Sequence, residues 1–468
     1  MINWLKYGIL IISLIEMSML SGVFYGFNAL IPIYTNLGVF SQFCVYRNQS
    51  TRVRCSAQDT LFGRAFSTWI VVQAIMSFVL GMIFDKYGIR TVKIIAAVFF
   101  LSGFICFAFT PKIGYLFFLG GSLLAISAYS LGIANISLSV IFKDRQNLLI
   151  SFYSSLFDTS AIVMTLIKYL FDFGALFWLV CVSYGCFGVF IILGSVIILK
   201  DRAQNLLAYS KTTEYSLSPI STIKETVFSD KNSLASQEYL KHFYERSVEE
   251  SFPTIKSCIL STEYAIQIFY FDILLFRFTF FLSQLSSQLD YLFPNKLAIS
   301  DHLLTICNVF FIGSIFISPI FGILLDKYQN YTFVYLSMYK CISARKVYNE
   351  VNACFCLPSI VCSLTIIVGL SLMFIPKVIS FYFVFVSMTI AKSLLLNING
   401  SYMFSAFPKR FFGTLIGLNF LTTSFCNLFQ QLLIHYAAPG ANPDLVNYIL
   451  LGFCILTLSH GLYLKLKT

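Results

Sequence analysis

Twelve predominantly apolar stretches, each long enough to cross a bilayer, recur along this 468-residue chain. A hydrocarbon layer about 30 Å thick needs roughly 20 such residues as α-helix, and lipid gives backbone groups no partners outside the helix. The stretches are 7–34, 62–84, 91–109, 115–142, 149–171, 175–199, 264–292, 303–325, 352–375, 379–407, 413–436 and 445–464. Charged residues make up 11% of the chain, far below the roughly 25% of soluble domains, which excludes that class. The net charge of +11 comes without a basic cluster interleaved with aromatics. It therefore points to cation-rich loops on one membrane face, with no nucleic-acid partner. The expected fold class is an all-α membrane protein, and its partners are the lipid bilayer and a small molecule.

Between the sixth and seventh stretches lies a polar, Ser-rich segment dense in both charge signs. The expected organisation is an N-terminal six-helix bundle over 1–199, a cytoplasmic linker over 200–263 and a C-terminal six-helix bundle over 264–468. The run from Tyr7 to Tyr34 is too long for a cleaved signal and reads as an uncleaved first helix. Lys and Arg concentrate in the short loops on the side of both termini, including Lys86, Arg90, Lys93, Arg345, Lys346, Lys409 and Arg410. This bias places both termini in the cytoplasm, with the plasma membrane as the expected location. Of 13 cysteines, Cys44 and Cys55 fall in an outer loop, where an oxidising compartment permits a disulfide. The same loop carries Asn48-Gln49-Ser50, a glycosylation sequon at Asn48.

After the second stretch stands Gly81-Met82-Ile83-Phe84-Asp85-Lys86-Tyr87-Gly88-Ile89-Arg90. It resembles the major facilitator signature G-x-x-x-D-[RK]-x-G-x-[RK], and the resemblance implies a major facilitator fold with twelve transmembrane helices in two six-helix bundles. A partial copy, Gly322-Ile323-Leu324-Leu325-Asp326-Lys327, follows the eighth stretch, the corresponding place in the other half. A small residue lets helices approach closely, a carboxylate can meet a helix terminus, and Gly88 allows a tight turn. Gly81, Asp85, Lys86, Gly88, Arg90, Gly322, Asp326 and Lys327 are accordingly expected to gate rather than to bind substrate.

Ionisable groups within the membrane are costly and usually face a cavity. Glu16, Arg64, Asp158, Lys168, Asp272, Arg277 and Lys392 all fall in helices that line the cavity of major facilitator folds. Arg64 lies near the outer end of helix 2, and Lys168 lies near the outer membrane face, where it is placed to snorkel. Asp272 and Arg277 stand about 140° apart around their helix and are not expected to pair. With the polar residues at similar depth, the candidate substrate-binding set is Glu16, Asn135, Asp158, Arg277, Asn308, Lys392 and Asn399. Asp158 and Lys392 stand at pseudo-equivalent midpoints of helices 5 and 10 and are expected to contact substrate from opposite sides. Structural pairing of such charges is the competing reading.

Narrower features resemble solute carrier family 43, whose members are facilitators of large neutral amino acids and an equilibrative nucleobase transporter. They are Glu16 followed by Ser21-Gly22-Val23-Phe24-Tyr25-Gly26, Cys55-Ser56-Ala57-Gln58-Asp59, and the stretch from Phe407 to Leu418. Phe157-Asp158-Thr159-Ser160 and Asn399 look like the nucleobase member, whereas Thr414 and Gln430-Gln431 look like the amino-acid members. Lys392 stands where the family carries Arg, and an ammonium lacks the planar fork that grips a carboxylate in two places. The resemblance implies a uniporter working by alternating access, with large neutral amino acids as the first expectation, and the chain is expected to function as a monomer. A purine nucleobase facilitator and a proton-coupled symporter are the alternatives within transport, and a non-transporting receptor or scaffold the alternative outside it. No P-loop, H-E-x-x-H or G-x-S-x-G occurs and the four His are scattered, so no enzymatic activity, metal or cofactor is expected.

Overall fold

A computed structural model describes residues 2–44, 56–142, 145–199, 234–293, 297–338, 343–436 and 443–467. Among them, eleven helical stretches are long and apolar enough to cross a membrane. One of these, within Ser56–Phe109, contains two spans joined at Gly88, whose φ of 80° and ψ of −177° break the helix. A side chain is strained at that backbone conformation, so glycine is what allows α2 to turn directly into α3. The twelve spans of the expected fold are thereby accounted for.

We number the spans α1 to α12 in chain order. The N-terminal half holds α1 (Ile2–Glu16, continuing irregularly to Asn36), α2 (56–87), α3 (89–109), α4 (Leu116–Ser137), α5 (Gln146–Thr159 and Ile162–Asp172) and α6 (Phe177–Leu199). The C-terminal half holds α7 (Thr262–Leu292), α8 (Leu297–Ile312 and Ser314–Ser337), α9 (Cys356–Met373), α10 (Val378–Ala406), α11 (Phe412–Tyr436) and α12 (Pro443–Leu456 and Leu458–Leu466). Lipid-facing helices such as α6 expose Trp178, Phe187, Phe190 and Ile197, whereas α4 and α10 are buried along most of their length.

Two irregularities shape the centre. In α1 the backbone passes through a π-helical turn, Met17–Ser21, and a 3₁₀ segment, Val23–Ala29. There the Gly22 N–H donates to Ser160 Oγ of α5 at 2.6 Å. The α5 helix itself breaks after Thr159. The irregular segment of α1 turns Tyr25 away from the direction a regular helix would give it, whereas Asp158 closes the regular first part of α5.

The described part of the segment between the halves, from 234 onward, is helical where its composition indicates a solvated linker. Leu234–Ser251 forms a helix against the C-terminal half. Its Tyr244 hydroxyl donates to the Ser405 carbonyl at 2.8 Å, and Glu245 and Glu249 pair with Lys409 and Arg410 at 2.7 and 3.3 Å. The mixed charge signs that mark a solvated linker here serve as docking contacts beside the start of α11. Lys93, grouped with the loop cations although it stands inside the 91–109 stretch, is buried as that stretch implies. It lies within α3, 1% exposed, rather than in a solvated loop. Asn48 and Cys55 fall outside the described residues, and so do the glycan and the Cys44–Cys55 bridge expected on them.

Candidate functional site

The repeated G-x-x-x-D elements form twin latches between the halves. Asp85 accepts hydrogen bonds from the Gly413 and Thr414 N–H groups at 3.0 and 2.7 Å and from Thr414 Oγ1 at 2.5 Å. Asp326 accepts from the Asn147 and Leu148 N–H groups at 3.1 and 3.0 Å and from Asn147 Nδ2 at 2.8 Å. Each carboxylate therefore caps the first turn of a helix in the opposite half, α11 and α5, where unsatisfied N–H groups and the helix dipole favour an anion.

From each latch a row of small residues runs toward the middle of the protein at four-residue spacing, one helical turn per step. On α2, Gly81 lies so close to α11 that a Cβ would overlap the Gly413 carbonyl, and Ser77 Oγ donates to the Gly417 carbonyl at 2.9 Å. On α8, Gly322 packs equally closely on Asn147, Leu148 and Ser151. Ser318 and Ser314 then donate to the Ser151 and Ser155 carbonyls at 3.0 and 3.2 Å. The halves are thus zipped together from the latches inward. Of the other expected gate residues, Arg90 donates to the Leu199 carbonyl at the end of α6, 3.0 Å away, and Lys86 lies over the Tyr87 ring. Lys327 is exposed beside Asp326.

Where the zips end, the midpoints of α5 and α10 meet. Lys392 Nζ lies 2.9 Å from Asp158 Oδ1, with the two side chains 6% and 1% exposed. The ammonium also sits over three rings, Tyr25 at 4.4 Å and Phe278 and Phe311 at 5.1 Å each. Tyr25 is in turn edge-on to Phe157 and Phe66, as Phe278 is to Phe311. One ion pair joining the two halves is therefore walled by aromatic faces, which offset the desolvation of the cation. Neither oxygen of Asp158 receives a directional hydrogen bond among the described residues. Deeper toward the latches, Gln267, Asn399 and Asn419 form a chain of amide hydrogen bonds at 3.1 and 3.2 Å. Tyr129 stacks edge-on to Phe420 there, with its hydroxyl unpartnered.

The structure brings Asp158 and Lys392 together, and it places two other expected residues elsewhere. Glu16 points at α3 and α6, where Lys93 Nζ meets its Oε2 at 2.5 Å and also donates to Ser195 at 3.0 Å. Arg277 points at α9 and α12, donating to Asn447 Oδ1 at 3.1 Å and approaching the Met373 sulfur at 3.7 Å. Asp272 accepts from Thr423 Oγ1, so Asp272 and Arg277 do not pair with each other. Asn135 is fully buried, and among the described residues neither of its side-chain polar atoms has a partner. The side chain of Asn308 lies outside the described positions. Sequence reasoning missed Tyr25, Phe278 and Phe311. With 51 Phe and 27 Tyr in the chain, no single ring stands out, although Phe278 adjoins a residue already singled out for its charge.

Comparison with known proteins is consistent with this geometry. The model of the Major Facilitator Superfamily matches residues 10–430. Equilibrative nucleobase transporter 1 of Bos taurus is 26% identical over 478 aligned positions, covering 96% of this chain and 94% of that protein. Protein FMP42 of Saccharomyces cerevisiae is 29% identical over 155 residues, about a third of each chain (32% and 31%). Among solved structures, the proton:xylose symporter XylE bound to 6-bromo-6-deoxy-D-glucose superposes with a TM-score of 0.59 at 12% identity, covering 97% of this chain and 95% of that one. At that identity the likeness concerns the fold alone.

Proposed function

The chain belongs to the Major Facilitator Superfamily and is a multi-pass membrane transporter, and we propose that it carries a purine nucleobase by facilitated, uncoupled alternating access. The observation that carries this reading is the Asp158–Lys392 pair enclosed by Tyr25, Phe157, Phe278 and Phe311. A planar heterocycle can stack on these rings, a contact worth about 1–3 kcal/mol per base where proteins bind single-stranded nucleic acid. Its ring N–H groups can donate to the Asp158 oxygens, and its ring nitrogens and carbonyl oxygens can accept from Lys392. A neutral base makes these contacts without bringing further charge into the membrane interior. A zwitterionic amino acid would have to divide the ion pair between its own two charges, and an aliphatic side chain gains less from aromatic walls. The bovine relative's name points the same way.

Ion pairing of Glu16 and Asp158 supports the uncoupled mode. Glu16 is held by Lys93 and Asp158 by Lys392, whereas Asp272 meets the neutral Thr423 hydroxyl and lends no such support. A carboxylate already neutralised by a partner is poorly placed to take up a coupling proton. In the proposed orientation the latches lie on the cytoplasmic side and close it, with the loop around Asn48 outside.

The substrate assignment is tested by uptake in cells expressing the chain. Radiolabelled adenine should enter saturably, with excess guanine blocking it and excess leucine or phenylalanine leaving it unchanged. Saturable leucine or phenylalanine uptake without adenine uptake would establish the amino-acid reading instead. The topology carries its own expectation. Asn48→Gln should abolish a glycosidase-sensitive mobility shift, and Cys44 and Cys55 should react with an impermeant maleimide after reduction alone. Labelling of both cysteines in intact, unreduced cells would refute the bridge.

A further inference from the structure

Arg277 is a fully buried guanidinium, 1% exposed, in the C-terminal half. Among the described residues no carboxylate pairs with it. One nitrogen, Nη2, is used by Asn447 Oδ1 and the Met373 sulfur, and the Phe280 ring lies 5.6 Å from the guanidinium carbon. Nε and Nη1 have no partner among the described residues. Arg277 borders a small pocket between α7, α9 and α12, lined also by Phe280, Phe281, Gln284, Gln288, Met373 and Asn447. Gln288 Oε1 accepts from Asn447 Nδ2 at 3.3 Å, which leaves Gln288 Nε2 as a further donor without an acceptor.

The inventory is one-sided. The amide oxygens of Asn447 and Gln288 each already accept a hydrogen bond, and the buried lining atoms found without a partner among the described residues are N–H donors around a fixed positive charge. A buried cation without a counter-charge is among the costliest arrangements in a protein, more so within a membrane. Water could accept from these donors but would leave the charge uncompensated. The pocket has room for about one water-sized particle, too little for a nucleobase or an amino acid, and a halide ion is only slightly larger than water. We propose that Arg277, Gln288 and Asn447 hold a single halide-sized anion, chloride under ordinary conditions, at a site separate from the Asp158–Lys392 pair.

The test is thermal unfolding of the purified full-length protein, followed by intrinsic fluorescence at constant ionic strength, as chloride replaces gluconate. A ligand that binds the native state alone raises the melting temperature progressively with its concentration. Chloride and bromide should do so with a definable midpoint, and gluconate, too large for the pocket, should not. Arg277→Met should abolish the response. Should that variant fail to fold, Asn447→Ala and Gln288→Ala, which keep the charge, should each move the chloride midpoint about tenfold higher. Equal melting in chloride and gluconate overturns the proposal, as does a chloride response unchanged in these variants. An Arg277-dependent shift with acidic phospholipid vesicles but none with chloride would assign the site to a lipid phosphate and also overturn it.

Discussion

Asp158→Asn and Lys392→Gln should each cut nucleobase uptake ten- to a hundredfold while leaving surface expression near that of the parent. Losing one charge-assisted hydrogen bond to substrate costs about 1.5–3 kcal/mol, and each 1.4 kcal/mol is a factor of ten. The substitutions also strand a buried partner, and breaking a buried pair is destabilising by about 3–5 kcal/mol, so uptake must be normalised to folded protein at the surface. The exchange Asp158→Lys with Lys392→Asp separates the two roles. If the pair serves only to hold the halves together, the exchange restores opposite charges across the interface and recovers uptake. If substrate reads both groups, the donor and acceptor are reversed relative to the aromatic walls and uptake stays low. Near-normal kinetics in both single variants would remove these residues from the site.

The second large effect concerns the latches. Asp85→Ala removes the acceptor for three donors at the start of α11, and Asp326→Ala does the same for α5. Both should slow transport at least tenfold, because closure on the latch side loses charge-assisted bonds that exist only in that state. Equilibrium affinity for adenine should change less than about threefold, since neither carboxylate touches the midpoint pair. A cysteine introduced at Ser77 should become more reactive to thiol reagents in the Asp85 variant, reporting a gate that opens too readily. Lost binding with unchanged Ser77→Cys reactivity would contradict the gating assignment.

Much of this organisation was legible in the sequence, and the parts that were not share one physical cause. Run length places the spans, and the repeated Gly-x-x-x-Asp locates both latches, because helix termini and close approach demand those residue types. Depth along a helix also singles out Asp158 and Lys392. Depth says nothing about direction around the helix axis, however. Glu16 and Arg277 lie within cavity-lining helices yet face the peripheral ones, where Lys93 and Asn447 meet them. The π-helical turn after Glu16 has no counterpart in the hydrophobic pattern, so the inward aim of Tyr25 was hidden. The small-residue rows behind the latches, Ser77 on α2 and Ser318 and Ser314 on α8, carry no distinct sequence signal because serine is commonplace in this chain. The helix Leu234–Ser251 was masked by its polar composition, since its docking partners Lys409 and Arg410 lie far away in sequence.

Counterflow in liposomes containing the purified protein tests the central claim most directly. Vesicles loaded with unlabelled adenine and diluted into trace labelled adenine, with equal pH on both sides, should show a transient accumulation of label. The same vesicles reconstituted with the Asp158→Asn protein should show little or none. Accumulation that requires a proton gradient, or a leucine counterflow with none for adenine, would contradict an uncoupled nucleobase carrier built around the Asp158–Lys392 pair.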